Sequence, residues 1–585
     1  MRGKSRSQLD RLQKLGCIHL LDLSGRRKSS SPPHDISTET LRAVRYLQTC
    51  HEHHRQATDE SDFDFEGIVH QALKLERHEQ ELNEERDELL LAVKNLQPWG
   101  DFRLPNNGEL RSLKLWFYIL PHHRRAELTS RKEAWQVVSR DNRFDYVAVV
   151  NESEPADMPV PRVRLDDRPL SELRQRLKSV DAELEELHFR RVSLTRWNAL
   201  LSRAIAIAED RAELRHAAER AWDDPSLFVV QGWVPQPRLD ELQAFCRDEA
   251  MSLTVEAPAD DDHPPTLLHN SGVTEGGEQA VTFYTTPDYR DWDPSSIVFV
   301  SFSLFFAMIM ADAGYAALLA VVLLLVWKRL GRMDGGRRLR KLVLAVVGAS
   351  VAYGVAVGSY FGVTPSDASF AGTLHVIDAT DTRLMMLISV AVGVIHLVIA
   401  NLVLAWHRRH SLRMIGSLGW VAVLAGGLAF GFGRAGIEPQ NALSIFGGWA
   451  IAVGGVAVLL FSSQRPFAGA KLKDHGLRLV DGILSLTSIS KAFGDVLSYL
   501  RLFALGLASA QLAITFNDLS HQASGTAGVG SLLALLVLLI GHSLNFVLIV
   551  MSGVVHGLRL NCIEFFGWGL EGEGFPFRPF RKRVK

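Results

Sequence analysis

Apolar positions along this chain follow two different rhythms. Residues 36–97 and 168–222 are charge-rich, with apolar residues at three- and four-residue spacing, such as Leu82, Leu89, Leu90 and Val93. That spacing predicts two long helical arms with few internal breakers. Separated by a compact insert, they read as an antiparallel coiled-coil stalk, and the first would extend about 90 Å if wholly helical. Beyond residue 295 the amphipathic rhythm gives way to apolar runs at 296–310, 312–327, 342–361, 384–406, 413–433, 443–462, 484–516 and 531–563. A helix of about 20 apolar residues crosses a bilayer. The expected fold is therefore N-terminal α/β lobes with a long antiparallel coiled-coil stalk, followed by a C-terminal all-α polytopic membrane domain of eight helices. The expected boundary separates residues 1–294 from 295–585.

Strand-like pieces fill the gaps between the arms. Leu115–Ile119 and Tyr146–Val150 alternate around a helical segment and predict a small α/β lobe at the tip of the stalk, over 110–165. After the second arm, a strand at Leu227–Pro235, a helix at 237–250 and a strand at 252–256 predict a second lobe near the membrane.

Charge adds an orientation. The formal net charge of −1 conceals 40 Lys and Arg against 52 Asp and Glu in residues 1–294, and 24 against 13 in residues 295–585. Seven of those 24 lie between Lys328 and Lys341, three between Arg408 and Arg413, four between Arg465 and Arg478, and five from Arg578 onward. The alternate loops are acidic or near neutral, carrying Asp367, Asp378, Asp381 and Arg383, then Arg434 and Glu438, then Asp518. Basic loops stay cytoplasmic, so both termini and the stalk are expected inside the cell membrane, with an even number of crossings. The first apolar run lies past residue 290, so no N-terminal signal peptide is expected. The stretch 296–327 is interrupted at Ala311-Asp312-Ala313-Gly314 and reads as a short hairpin, each arm reaching only about 22 Å. Gly354, Gly358 and Gly362 offer a small-residue face on the third crossing.

Several motifs fall away on inspection. Gly431-x-Gly433-x-x-Gly436 ends a membrane run and lacks the strand–turn–helix setting of a dinucleotide site. His51-Glu52-His53-His54 misses the zinc-protease pattern because Arg55 stands at the fifth place, and it reads as the solvated face of a charged helix. No phosphate-binding G-x-x-x-x-G-K-[ST] occurs, and Cys17, Cys50, Cys246 and Cys562 form no C-x-x-C pair. No nucleotide site, metal, cofactor or nucleic-acid partner is expected.

The informative charges are those inside apolar helices. Arg501 sits in Leu497–Ala508 and Arg559 in His556–Leu560. An arginine at a helix centre costs about 2.5–3.5 kcal/mol on insertion scales. Arg559 is near enough to its helix end to snorkel, whereas Arg501 is followed by a dozen mostly apolar residues. Arginine stays charged at physiological pH, so its natural task is to present a fixed positive charge to a carboxylate that titrates. Ala504, Leu505, Ala508, Leu512 and Thr515 lie within about 60° of Arg501 on the helical wheel, a small apolar face suited to a partner helix. On the last helix Asn545, Ser552, His556 and Arg559 form a polar stripe, read as either interhelical hydrogen bonding or a hydrated ion path. Lys491 and Asp495 stand four apart and are expected to pair. Asp312 and Glu564 stay open between cap, ion pair and path.

The run Gly494-Asp495-Val496-Leu497-Ser498-Tyr499-Leu500-Arg501-Leu502-Phe503-Ala504-Leu505-Gly506-Leu507-Ala508 resembles the signature of the membrane stator subunit of V/A-type rotary ATPases, called subunit I in prokaryotes. The resemblance extends through Gly232-Trp233-Val234-Pro235, Tyr289-x-x-Trp292-Asp293-Pro294, Leu304-Phe305-Phe306, Asp312-Ala313-Gly314-Tyr315, Gly541-His542-x-x-Asn545, His556–Leu560 and Glu571-Gly572-Glu573-Gly574-x-Pro576-Phe577. It implies that Arg501 faces the carboxylate of each proteolipid subunit of a rotor ring. Ala504, Leu505, Ala508 and Leu512 would then be ring-facing. Ions, protons or sodium, would cross through two offset half-channels, with Arg559 as a supporting arginine and Asn545, Ser552, His556, His542, Asp495 and Glu564 along the ion route. The resemblance further implies a stalk that binds peripheral-stalk subunits, a central-stalk cap subunit as a neighbour, and no ATP site in this chain. Eukaryotic members often carry His where this chain has Ser509 and Asn561, and Glu where it has Ile549, so the prokaryotic branch fits better. A strand usually precedes the helix read at Gln8–Leu15 and is missing. Two other classes remain open from sequence: a secondary transporter binding an anionic substrate at Arg501, with broken helices and a concave pocket there, and a membrane-tethered scaffold whose arginines are structural.

Overall fold

The computed structural model describes residues 2–23, 37–105, 112–129, 133–156, 158–223, 227–270, 272–333, 335–366, 368–378, 381–437, 439–463, 465, 472–525 and 529–583. Asp367 and Glu438, two of the loop charges used for orientation, lie outside them, as does 466–471 of the third basic segment. The chain divides into two compact units, Met1–Met251 with Pro579–Lys585, and Ser252–Arg578. The division falls earlier than the 294/295 boundary expected from hydropathy. Residues 252–294 belong with the second unit because their short helix Gly277–Thr282 and strand Thr286–Pro287 pack and pair there.

In the first unit, α1 (Arg2–Leu15) leads into β1 (His19–Leu20), and α2 (Thr38–Gln48) and α3 (Phe65–Leu96) follow. The first arm is thus not one helix. The chain leaves helical conformation between residues 49 and 64, and α3 restarts on Asp64, whose carboxylate accepts from Gly67 N at 3.1 Å, the capping role that acidic side chains favour. His51–His54 consequently sit in this non-helical connection. Strands β2 (Lys114–Pro121), β3 (Ala134–Arg140), β4 (Phe144–Asn151) and β5 (Arg162–Val163), with α4 (Ala126–Thr129), build a four-stranded antiparallel sheet in the order β3-β4-β2-β5. Tyr118, Leu120, Val147 and Val149 alternate into its core.

The second arm comprises α5 (Leu170–Leu194) and α6 (Asn198–Arg220), joined by a 3₁₀ turn at Thr195–Trp197. Buried residues recur every seven positions on both partners: Leu82, Leu89 and Leu96 on α3, and Leu173, Val180 and Leu187 on α5. Arg176 reaches Glu85 at 2.7 Å and Arg191 reaches Glu79 at 3.5 Å, so the two helices run antiparallel. The unit continues with β6 (Trp222–Asp223), β7 (Phe228–Val229), β8 (Gly232–Trp233) and α7 (Leu239–Asp248). Two short pairs replace the single strand expected over 227–235, β6 with β7 and β1 with β8, and 252–256 forms no strand.

The chain's last residues return to this unit. Phe580 is buried among Leu9, Leu12, Cys17, Ile18 and Leu242. Its N–H donates to Ile18 O at 2.8 Å and that of Lys582 to Gln13 O at 3.0 Å. Gly16, at φ +63°, leaves the space that Arg581 fills, since a Cβ there would lie 2.8 Å from that of Arg581. Lys582 bonds Asp10 at 2.6 Å, Arg583 N donates to Asp210 at 2.9 Å, and the Arg583 guanidinium pairs with Glu209.

The second unit contains α8 (Gly277–Thr282), β9 (Thr286–Pro287), α9 (Ser295–Met310), α10 (Ala313–Leu330), α11 (Gly336–Val357), α12 (Phe370–Thr373), α13 (Thr382–His407), α14 (Arg413–Arg434), α15 (Gln440–Phe461), α16 (Leu472–Leu486), α17 (Ile489–Ser498), α18 (Leu500–Ser524), α19 (Gly530–Arg559), a π-helical turn at Leu560–Phe565, α20 (Phe566–Gly569) and β10 (Glu573–Gly574). Among the described residues seven helical stretches are long and apolar enough to cross a membrane. The eighth expected crossing is α9, apolar but only 16 residues long, turning into α10 at Ala311 (φ 45°). Twelve of its sixteen residues are buried against neighbours that include α11, α18 and α19, while Ser296, Val300 and Leu304 leave one narrow stripe exposed. Only one of the three spaced glycines packs helix on helix. A Cβ at Gly354 would come within 2.6 Å of the Asp312 backbone, whereas Gly358 (φ +70°) ends α11 and Gly362 (φ +75°) lies in the following turn.

Two outcomes are expected of the docked tail. Phe580→Ala removes its buried anchor and should weaken docking by about 3 kcal/mol, read as faster tryptic cleavage at Arg581 and Lys582. Lys582 holds the Asp10 carboxyl below its ordinary 3.8. That contribution is present above the ordinary value and is lost as pH falls through the lowered one. Acidification below about pH 4 should therefore loosen the tail, and Lys582→Ala should abolish that acid-dependent step.

Candidate functional site

The two arginines of the apolar helices come from α18 and α19, which pack along their length. Arg501 is the second residue of α18, just past a joint: α17 ends at Ser498, Tyr499 is a turn residue, and the bonds Tyr499 N→Val496 O (3.2 Å) and Leu502 N→Tyr499 O (2.9 Å) tighten the chain there. The Nη1 of Arg501 is buried without a hydrogen-bond partner. Buried polar groups are satisfied in the great majority of cases, so this nitrogen marks an unfilled valence.

Around it lie groups from the end of α19. His556 is within electrostatic reach of Arg501 and Arg559, and its Nδ1 is likewise buried and unpartnered. Arg559 closes α19 with an exposed side chain. Glu564 sits in the π-helical turn, is 3% exposed and lies within electrostatic reach of both arginines, and its Oε2 has no hydrogen-bond partner within the chain. Such single-turn π segments recur at functional sites because the extra residue re-aims the side chains that follow. Ser552 is half-buried one turn from His556.

A second polar group forms a closed chain. Asn517 Nδ2 donates to Phe361 O at 2.9 Å, which turns its Oδ1 toward His542 Nε2 at 3.0 Å. His542 Nε2 must then carry the proton, so Nδ1 accepts from Tyr315 OH at 2.6 Å. The Tyr315 oxygen in turn accepts from Asn545 Nδ2 at 2.9 Å, and that amide also donates to Ser509 O at 3.0 Å. Asn545, 1% exposed, is thus committed to hydrogen bonds between helices, the first of the two readings of the polar stripe.

The remaining charges resolve individually. Asp312 is a cap: it accepts from Tyr315 N (3.0 Å), Ser359 Oγ (2.6 Å), Phe361 N (3.0 Å) and Gly362 N (2.9 Å), tying the α9–α10 turn to the loop after α11. Asp495 and Lys491 do not pair. Asp495 accepts from Trp568 Nε1 at 2.7 Å, and Lys491 donates to Gly567 O at 3.1 Å with its ammonium 5.3 Å from the Trp568 ring centre. The partner offered by the segment after α19 supersedes the local i,i+4 contact. On the face beside Arg501, Ala504, Ala508 and Thr515 are exposed, while Leu505 and Leu512 are half-buried and Leu505 packs against the core. Among the described residues no group of three His, Cys, Asp or Glu side chains is placed to hold a metal.

Four participants carried no role in the sequence reading: Tyr315, His396, Tyr499 and Asn517. Tyr315 and Tyr499 lie inside the quoted motifs, but their spacing does not reveal that their hydroxyls reach His542 and His396. His396 is a lone histidine in an apolar run, and Asn517 is the first of several polar residues that follow the apolar run ending at 516.

A sequence profile of the V-type ATPase 116kDa subunit family matches residues 169–340 and 486–582. The chain is 28% identical over an alignment of 597 residues to the V-type ATP synthase subunit I of Chlamydia pneumoniae, covering 89% of this chain and 86% of that protein. It is 27% identical over 659 aligned residues to the V-type ATP synthase subunit I of Chlamydia trachomatis serovar D, covering 100% and 97%. The similarity reaches archaea, with 26% identity over 453 residues to the A-type ATP synthase subunit I of Methanocaldococcus jannaschii, covering 70% and 63%.

The closed chain predicts a stability effect. Asn545→Leu strips the Tyr315 oxygen and Ser509 carbonyl of their donor and should cost about 1–3 kcal/mol. The readout is a lower midpoint of thermal unfolding for the purified protein in detergent.

Proposed function

We propose, from the premise that this chain belongs to the V-type ATPase 116kDa subunit family, that it is the membrane stator subunit of a V/A-type rotary ATPase. In this role it couples ion movement to ATP hydrolysis or synthesis carried out by other subunits. The observation that carries the reading is the Arg501 guanidinium, with a buried Nη1 unpartnered within the chain, beside the exposed small residues Ala504 and Ala508. That combination suits a helix passing close by and presenting a carboxylate, here one from each proteolipid of a rotor ring. A transporter pocket would enclose Arg501 instead of leaving its small-residue side open.

In the mechanism, Arg501 cannot lose its proton and acts as an electrostatic barrier and attractor. A ring carboxylate arriving opposite it is stabilised in the ionised form and must release its ion before it passes. Ions therefore reach the ring from one side and leave from the other only by riding its rotation. Glu564, Ser498 and His556 provide the acceptor groups of one half-channel, next to Arg559. The Asn517–His542–Tyr315–Asn545 chain borders the other, with Ser552 between them. Asp495, held by Trp568, borders the mouth of the first.

The basic loops support an arrangement with both termini cytoplasmic in the cell membrane. The α3–α5 pair, with its seven-residue repeat of buried positions, serves as a coiled-coil stalk that meets peripheral-stalk subunits and resists torque. Residues 1–294 form the cytoplasmic portion, with the central-stalk cap subunit as a neighbour, and 295–585 the ion-translocating portion. ATP is bound elsewhere in the complex.

Replacing Arg501 with Ala tests this. Assembly with the ring should persist, while ATP-driven ion pumping in vesicles should fall by about 10²-fold or more. Normal pumping by the assembled Arg501→Ala complex would overturn the stator reading, and lost assembly with nothing else affected would favour a scaffold.

A further inference from the structure

Arg501 follows a joint where the helix tightens into i→i+3 hydrogen bonds, so the direction of α17 does not by itself fix where the guanidinium stands. The side chain at that joint is Tyr499, which is fully buried at 0% exposure. Its ring lies in a slot on α13 whose floor is Gly393, where even a methyl group would collide with the ring. Its hydroxyl meets His396 Nδ1, one turn further along α13, at 2.8 Å. The wall of the slot is Phe305 of α9, edge-on to Tyr499 at 5.7 Å and to His396 at 5.0 Å between ring centres. His396 then stacks flat on Phe565, 4.3 Å away with 7° between the planes.

Phe565 is the residue after Glu564 and the last of the π-helical turn that begins next to Arg559. The lock therefore joins two functional segments: Tyr499 lies two residues before Arg501, and the ring stacked on its partner lies one residue after Glu564. Flat aromatic stacking, an edge-on contact and a buried hydrogen bond are each directional. Together they set both the rotation of the α17–α18 joint and the distance from Arg501 to the π turn.

We infer that Tyr499, seated on Gly393 and bonded to His396, is a positioning residue for ion translocation, holding Arg501 in register with the Arg559–Glu564 segment. This rests on the stator reading and acts wholly through Arg501. A residue needed only for packing would affect how much complex assembles, but not how well each assembled complex couples.

The test compares Tyr499→Phe, His396→Phe and the double variant with wild type and Arg501→Ala, in the full complex reconstituted in vesicles. Two quantities are measured per assembled complex: ions pumped per ATP hydrolysed, and passive ion leak when ATP is absent. Tyr499→Phe keeps the ring and loses only the hydroxyl, so assembly is expected to stay within about twofold while coupling falls about five- to tenfold, the scale of one buried hydrogen bond. The double variant should fall no further than the worse single, because both remove one bond. Gly393→Ala displaces the ring and should uncouple more completely; if it does not assemble, Tyr499→Phe decides alone. Wild-type coupling in assembled Tyr499→Phe, or additive losses in the double variant, would overturn the inference. If Arg501→Ala also pumps normally, the failure lies instead with the stator reading.

Discussion

A guanidinium lodged among apolar helices constrains everything near it. Moving such a charge out of water is expensive, and an unpaired buried charge is among the costliest features a protein keeps. Here Arg501 Nη1 has no partner within the chain, and the Glu564 carboxyl lies within electrostatic reach of both Arg501 and Arg559. Aromatic side chains pack close beside it. Phe305, Tyr499, His396 and Phe565 close one side, and most of α9 is buried against its neighbours.

That buried helix explains an oddity of the pattern. At 16 residues α9 is too short to span comfortably, and a lipid-facing helix of that length would strain the bilayer. It is tolerated because it contacts protein rather than lipid along most of its surface. Asp312 makes the early turn possible by satisfying the freed backbone groups of the loop after α11 and the first turn of α10. A carboxylate inside a membrane unit thereby serves as a cap, which no hydropathy plot distinguishes from a carboxylate on an ion path.

What could be read in the amino-acid order follows the range of the forces involved. Most of the long apolar helices were legible to within a few residues because a bilayer demands a contiguous apolar stretch, but the run 484–516 takes in the end of α16, all of α17 and only the first two thirds of α18. The small sheet between the arms was legible because alternation at Leu115–Ile119 and Tyr146–Val150 is a local signal. The break at 49–64 was not, since no Gly or Pro marks it, only the polar cluster Thr58–Asp62 and the Asp64 cap, and the charged flanks continue the helical composition. Arg501 stood out because one charge among a dozen apolar residues needs a reason. Tyr499 and His396 did not, because each is unremarkable alone and their significance lies in a contact across 103 positions of sequence. Lys491 and Asp495 misled for the opposite reason: proximity in sequence suggested a pair, and tertiary partners on the segment after α19 won.

The buried polar groups of the second unit sort into two kinds, and the sorting carries mechanical meaning. In the chain from Asn517 to Ser509 each bond direction is forced and His542 is fully engaged by neutral partners. Adding a proton there would require Nδ1 to donate to Tyr315, whose hydroxyl hydrogen would then meet only the donating amide of Asn545. Such a network resists change and stiffens α10, α18 and α19 against one another. The group at the other end of those helices is open, with Arg501 Nη1, His556 Nδ1 and Glu564 Oε2 each lacking a partner. A single packed bundle therefore holds a closed network that fixes helix positions and an open cluster whose polar atoms are not satisfied within the chain. On the proposed reading that is the division a stator requires: the closed network bears load while the open cluster changes partners with every step of the ring.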